Sequence, residues 1–160
     1  MEIRTAVPGD LPSIIQIELE CFPESEAASP TSLSARVASY PDHFWVLLDD
    51  STMVGFVNGL VTEEPDLRDE MYEDAALHDE HGAWQMIFGV DIIPAYRRQG
   101  CAGQLLRHVI EAAKAQGRRG VVLTCKEALV HYYAKFGFAD EGISQSTHGG
   151  VIWHQMRVTF

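Results

Sequence analysis

The sequence predicts a mixed α/β (α+β) fold, a central and mostly antiparallel mixed sheet of about seven strands flanked by about four helices. Two observations predict it. Apolar residues alternate in some stretches and recur at spacings of three and four in others, and the two kinds of stretch interleave. The order reads strand, helix, helix, three strands, helix, strand, helix, two strands. Strands joined through a helix cross over and pair in parallel, whereas those joined by short turns pair antiparallel. The 160 residues suit one domain, over 1–160, with a core of its own.

Residues 2–6 alternate as a first strand. Pro8-Gly9-Asp10 is a turn, with Asp10 as N-cap of a helix that buries Leu11, Ile14, Ile15 and Leu19. Glu18 is the one polar intruder on that face, and Phe22-Pro23 ends the helix. The small, polar run 23–30 predicts a mobile loop. Thr31 or Ser32 opens a second helix, running to about Tyr40. Strands follow over 43–48 and 53–61, joined by a hairpin turn at Asp49-Asp50-Ser51.

Segment 63–80 carries nine acids against Arg68 alone among fixed positive charges. It reads either as a solvated, partly helical connection or as an acidic rim beside a site for an amine. Residues 82–93 form the fourth strand, and a helix runs from about Gly100 to Gln116, ending at Gly117. Val121 to Cys125 is an apolar strand covered on both faces. A short helix over 127–136 and strands from Phe138 and from Val151 to Phe160 complete the chain.

A formal net charge of −11 argues against nucleic-acid binding, which depends on neutralising phosphates. No apolar run approaches the roughly 18 residues of a membrane helix. The start Met1-Glu2-Ile3-Arg4 lacks the pattern of a signal peptide, so the expectation is a cytoplasmic protein with no membrane partner. Cys21, Cys101 and Cys125 are few and scattered, which fits neither a disulfide framework nor a metal site, and no metal is expected.

The turn Arg97-Arg98-Gln99-Gly100-Cys101-Ala102-Gly103 lies between the fourth strand and a helix start. Free N–H groups, the positive end of the helix dipole and two arginines converge there, and the glycines let a ligand approach the backbone. The arrangement suits a phosphate. It is neither a Walker A loop, which needs Gly-Lys-Ser/Thr, nor a Rossmann fingerprint.

The element order and the Arg-x-x-Gly-x-Ala pattern resemble the GNAT superfamily of N-acetyltransferases, from about Ile3 to Phe160. The resemblance is specific at Pro94 to Gly100 and at Tyr132 to Phe138. Within the superfamily it is nearest to the arylalkylamine (serotonin-type) group, through Cys125 to Tyr133, Phe22 to Pro30 and Trp153 to Met156. That likeness implies a GNAT fold and acetyl-CoA as co-substrate. It implies that the backbone of Val90, Asp91 and Ile92 and the turn Arg97, Arg98, Gln99, Gly100, Cys101, Ala102 and Gly103 bind the cofactor, and that Tyr133 is general acid. The group's two strand histidines fall at Met86 and Phe88 here, so neither position supplies a base.

An alkylammonium has a pKa of about 10 and cannot attack a carbonyl until it loses a proton. Candidate bases or water relays are His81, His148, Glu26 and His78. Phe22, Glu26, Ser29, Pro30, Trp84, Met86 and Phe88 are the candidate amine-binding residues, with core packing as the other reading of the last three. Strict alternation turns Asp91 away from Met86 and Phe88.

The expected reaction is acetyl transfer from acetyl-CoA to a primary amine of a small molecule, an arylalkylamine or a di- or polyamine. The partner is that amine, and the chain is a monomer or homodimer. Two alternatives remain open: acetylation of a protein or peptide, and a noncatalytic acetyl-CoA sensor.

Overall fold

The computed structural model describes residues 1–160. Strand β1 (Glu2–Thr5) leads through a 3-10 turn at Pro8–Asp10 into helix α1 (Leu11–Cys21). Asp10 does not cap α1. Its carboxylate accepts the Val7 N–H at 2.9 Å and pairs with Arg4 at 2.8 Å, which pins the turn instead. Helix α2 (Pro30–Ser39) starts earlier than its composition suggested, because the Ser29 hydroxyl accepts the Ser32 N–H at 3.1 Å. Strands β2 (Phe44–Asp49), β3 (Thr52–Asn58) and β4 (Val61–Thr62) follow. The acidic segment then forms one turn of helix, α3 (Glu70–Glu73).

Strands β5 (Trp84–Ile87) and β6 (Gly89–Ile92) precede helix α4 (Cys101–Ala115). Strand β7 (Gly120–Cys125), helix α5 (Val130–Ala134) and strands β8 (Ala139–Ile143) and β9 (His154–Thr159) end the chain. The nine strands are the seven expected ones with two breaks, one at Gly59-Leu60 and one at Phe88.

The breaks divide the strands between two sheets, β1-β2-β3-β6 and β4-β5-β7-β9-β8. Only β5 and β7 pair in parallel. The 84–92 stretch therefore serves both sheets. Its first half stays with β7, and its second half leaves β7 to pair with β3. A cleft opens between β6 and β7 where they part. Gly59 permits the bend, because a Cβ there would stand 1.8 Å from the Met86 carbonyl oxygen.

The break at Phe88 is also a bulge. The Phe88 N–H donates to the Asn58 carbonyl at 2.7 Å, yet Asn58 stands opposite Gly89, so two residues face one. One extra residue reverses the alternation beyond it. Ile87 and Ile92, an odd number apart, both pack in the core beneath α4 with Leu105, Val109 and Leu123. Asp91 is thereby turned to the α1 and α2 side, the same face as Met86. This corrects the expectation from strict alternation.

Two smaller cores lie on that second face. One packs Ile14, Ile17, Leu33 and Val37 of α1 and α2 on Phe44, Val46 and Phe56. The other gathers Tyr40, Leu60, Met71, Trp84, Met86 and Val122.

Candidate active site

One half of the candidate site is built from backbone. The Ile93 N–H donates to the Val54 carbonyl, so alternation in the β3–β6 pair aims the amides of Val90 and Ile92 away from β3. They face the edge that β7 has left, a free strand edge lining the cleft. The Ile92 carbonyl on that edge accepts Arg97 Nε at 2.9 Å and the Cys21 thiol at 3.3 Å. Arg97 so ties the turn to the strand, and Tyr96 secures its other side through a 2.6 Å hydrogen bond to Asp49.

Arg98 and Gly100 adopt positive φ of 61° and 82°. This folds the backbone so that no N–H from Arg98 to Gly103 has an acceptor in the protein, and no side chain caps α4. Uncapped amides at the positive end of a fifteen-residue helix, with the Arg98 side chain exposed beside them, make an anion cradle. The free strand edge and the cradle fit the amide groups and the pyrophosphate of a coenzyme A. Cys101 is buried, so its backbone and not its thiol belongs to the cradle.

The other half is a cavity of about 350 Å³ between α1, α2, β6, β7 and the 22–29 loop. The loop roofs it and is held at three points. Glu18 accepts the Ala28 N–H at 2.8 Å, Lys126 pairs with Glu26 at 2.9 Å, and His148 Nε2 donates to the Glu26 carbonyl at 2.8 Å. The wall is aromatic. Tyr72 stacks on His148 at 5.1 Å and 7° and meets Phe88 at 4.7 Å, with Phe22 and Trp153 completing it.

Tyr133 lines the cavity from α5, and burial raises its phenol above the ordinary range. The Tyr72 hydroxyl, bonded to Thr124 at 3.0 Å, is pushed up to about 12, and the Cys125 thiol to about 11, both by burial.

The structure brings Phe22, Glu26, Ser29, Phe88, Val90, Tyr133 and His148 together around this cavity. Pro30 is the first residue of α2, behind the rim. Trp84 and Met86 are sealed in the core, with Met86 fully buried, so of the three alternating residues only Phe88 reaches the cavity. His81 lines a separate depression with Arg118 and Arg119 at the far end of β5. His78 is fixed in a network, its Nδ1 accepting the Val61 N–H and its Nε2 donating to Glu80, each at 3.0 Å.

The acidic segment is largely spent on internal pairs: Asp66 with Arg157, Asp69 with Ser146 and Thr147, Glu80 with His43 and Arg118. Of its acids only Glu73 lines the cavity.

Three buried charged residues were not among the candidates as side chains. Glu18 and Arg36 line the cavity, and Asp91 lies under its floor with no surface exposed. Burial first, and then the Glu18 charge, raise the Asp91 carboxyl well above the usual range. Burial lowers Arg36, whose guanidinium donates to Asn58 at 3.0 Å and to the Tyr72 carbonyl at 2.7 Å. The signal for Glu18 was its place on the apolar face of α1. Asp91 gave none, because its direction depends on the bulge.

A profile of the acetyltransferase (GNAT) family matches residues 11–138. Serotonin N-acetyltransferase of Mesocricetus auratus is 27% identical over 98% of this chain and 76% of its own length. The solved structure of the GphF GNAT-like decarboxylase in complex with isobutyryl-CoA is 25% identical, with a TM-score of 0.86 over 99% of both chains. The loading GNATL domain of CurA from Lyngbya majuscula shares the fold at a TM-score of 0.85 and 16% identity, over 99% of this chain and 96% of that one. The family match and the curated relative make this chain an acetyl-CoA-dependent N-acetyltransferase. The chain belongs to the acetyltransferase (GNAT) family.

Proposed function

We propose that the chain transfers the acetyl group of acetyl-CoA to the primary amine of a small molecule by direct attack. The observation that carries this reading is that one cavity contains both Tyr133 and Val90, whose amide lies on the free edge of β6. In this reading the thioester lies along Val90 to Ile92 with the pyrophosphate on the turn from Arg97 to Gly103. The Val90 N–H faces the oxyanion that forms on attack, and Tyr133 faces the departing sulfur.

The latched 22–29 loop favours a small amine over a peptide, which needs an open groove. The stacked aromatic wall of Tyr72, His148 and Phe88 favours a flat, apolar amine body over a polyamine. Because most of the 63–80 acids are occupied, a second ammonium group has few partners there.

The test is thiol release from acetyl-CoA with phenylethylamine, tryptamine, spermidine, putrescine and short peptides. Release with the aryl amines is the expected result. Tight coenzyme binding without turnover would make the chain a sensor. Release of carbon dioxide from a malonyl-type thioester, with no amine acetylated, would align it with the GphF neighbour and overturn the proposal.

A further inference from the structure

We propose that Glu18 takes the amine proton and that Asp91 positions it, the two acting as a carboxylate pair at the cavity floor. This rests on the transferase reading above. It supplies the base that Met86 and Phe88 cannot.

Glu18 is 6% exposed on α1, in the cavity wall with Phe22, Phe88 and Val90. The other acids there are less suited. Glu26 is paired with Lys126, and Glu73 is at the exposed rim. His148 already donates Nε2–H to the roof. Glu18 accepts one backbone N–H, from Ala28, and makes no ion pair within 4.0 Å.

Asp91 is fully buried behind it, and neither carboxyl oxygen meets a donor in the protein. It lies close enough to Glu18 for the charge of one to bear on the other. Two carboxyl groups sharing one site favour the form in which one carries a proton. The groups facing Asp91 put that proton on it. Burial first and then the Glu18 charge of α1 disfavour its ionised form, the Cys21 thiol of α1 and the Tyr133 phenol of α5 are held neutral by burial, and Arg36 of α2 opposes them. A protonated Asp91 has a donor to offer Glu18, the member of the pair that lines the cavity.

The step balances. Glu18 takes one proton from R–NH3+ and leaves R–NH2. The nitrogen lone pair forms the C–N bond as the carbonyl π pair moves to oxygen. Collapse re-forms C=O and breaks C–S, with the bonding pair leaving on sulfur. Tyr133 gives sulfur its proton and regains one from the new amide nitrogen. The proton on Glu18 passes to solvent. Ammonium and acetyl thioester thus yield amide, thiol and one proton.

The test compares two amines. Phenylethylamine is protonated at neutral pH, whereas trifluoroethylamine is already neutral and needs no base. Glu18→Gln is expected to lower kcat/KM about 10²–10⁴-fold for phenylethylamine and no more than about threefold for trifluoroethylamine, with acetyl-CoA affinity retained as a check on folding. Equal losses on both amines, or no loss, would overturn the assignment. A wild-type chain that binds acetyl-CoA and acetylates neither amine would overturn the transferase reading itself.

Should Glu18→Gln fail to fold, the Asp91 pair decides. Asp91→Asn keeps a donor toward Glu18 and should keep the wild-type pH profile. Asp91→Ala removes it and should move the acid limb of kcat/KM to higher pH. A shift to lower pH would mean that Asp91 is ionised, and would overturn its role.

Discussion

Tyr133→Phe separates chemistry from architecture with one atom. The hydroxyl makes no hydrogen bond in the protein, so its loss orphans no partner. The ring's edge contacts, with Tyr132 at 5.3 Å and Phe138 at 6.2 Å, are open to phenylalanine unchanged. Stability should therefore move by no more than about 0.5 kcal/mol. Turnover should fall about 10²–10⁴-fold, the range for a positioned acid, which is about 2.7–5.4 kcal/mol at about 1.36 kcal/mol per decade.

The assay is thiol release at saturating amine across a range of acetyl-CoA concentrations, beside a thermal melt. The KM for acetyl-CoA should hold, because the cradle is backbone from Arg98 to Gly103. Since burial raises the phenol, Tyr133 stays loaded and gives the wild type no alkaline limb of its own. Unchanged turnover, or a loss matched by a lowered Tm, would remove Tyr133 from the mechanism.

Three further perturbations probe other parts of the site. Gly100 has φ of +82° with nothing within 4 Å of a built Cβ, so Gly100→Ala meets strain but no clash. A strain of about 1–2 kcal/mol should weaken acetyl-CoA binding by about five- to thirtyfold in calorimetry and leave the amine KM alone. Asp91→Asn should stabilise the fold, and increasingly so as pH rises. The folded carboxyl holds its proton above the unfolded value of about 3.9, so its contribution is full below that value and is lost as pH climbs toward the folded one. Asparagine has no proton to lose, and a Tm difference that stays flat with pH would refute the assignment. Glu26→Gln should raise the amine KM with little change in Tm, because Lys126 is 46% exposed and such pairs contribute about 0–1 kcal/mol. An unaltered KM would show that the latch does not shape the pocket.

The two halves of the site differ in how far the residues reveal them. The proposed cofactor half is legible because it is local: a strand, a turn with Gly100 and the start of α4 lie within one stretch, and their chemistry is carried by backbone. The break between β5 and β6 is less so, since it depends on Gly59 meeting the Met86 carbonyl across the sheet. The proposed amine half is assembled from α1, α2, the 22–29 loop, β6, β7 and the β8–β9 turn. Its wall depends on which way single side chains point. Strict alternation placed Trp84, Met86 and Phe88 together on that wall and turned Asp91 away. Trp84 and Met86 precede the Phe88 bulge and pack in the core beside β7, whereas the bulge brings Asp91 under the cavity beside Glu18.

A side-chain period of two makes one inserted residue decisive, and composition carries no trace of it. The same bulge bears on chemistry. It frees the β6 edge that the thioester requires in the proposed reaction, and it delivers a carboxyl to the face where the amine would enter. Removing it by deleting Phe88 should therefore impair both halves together, whereas Phe88→Leu, which keeps the residue count, should alter only the amine KM.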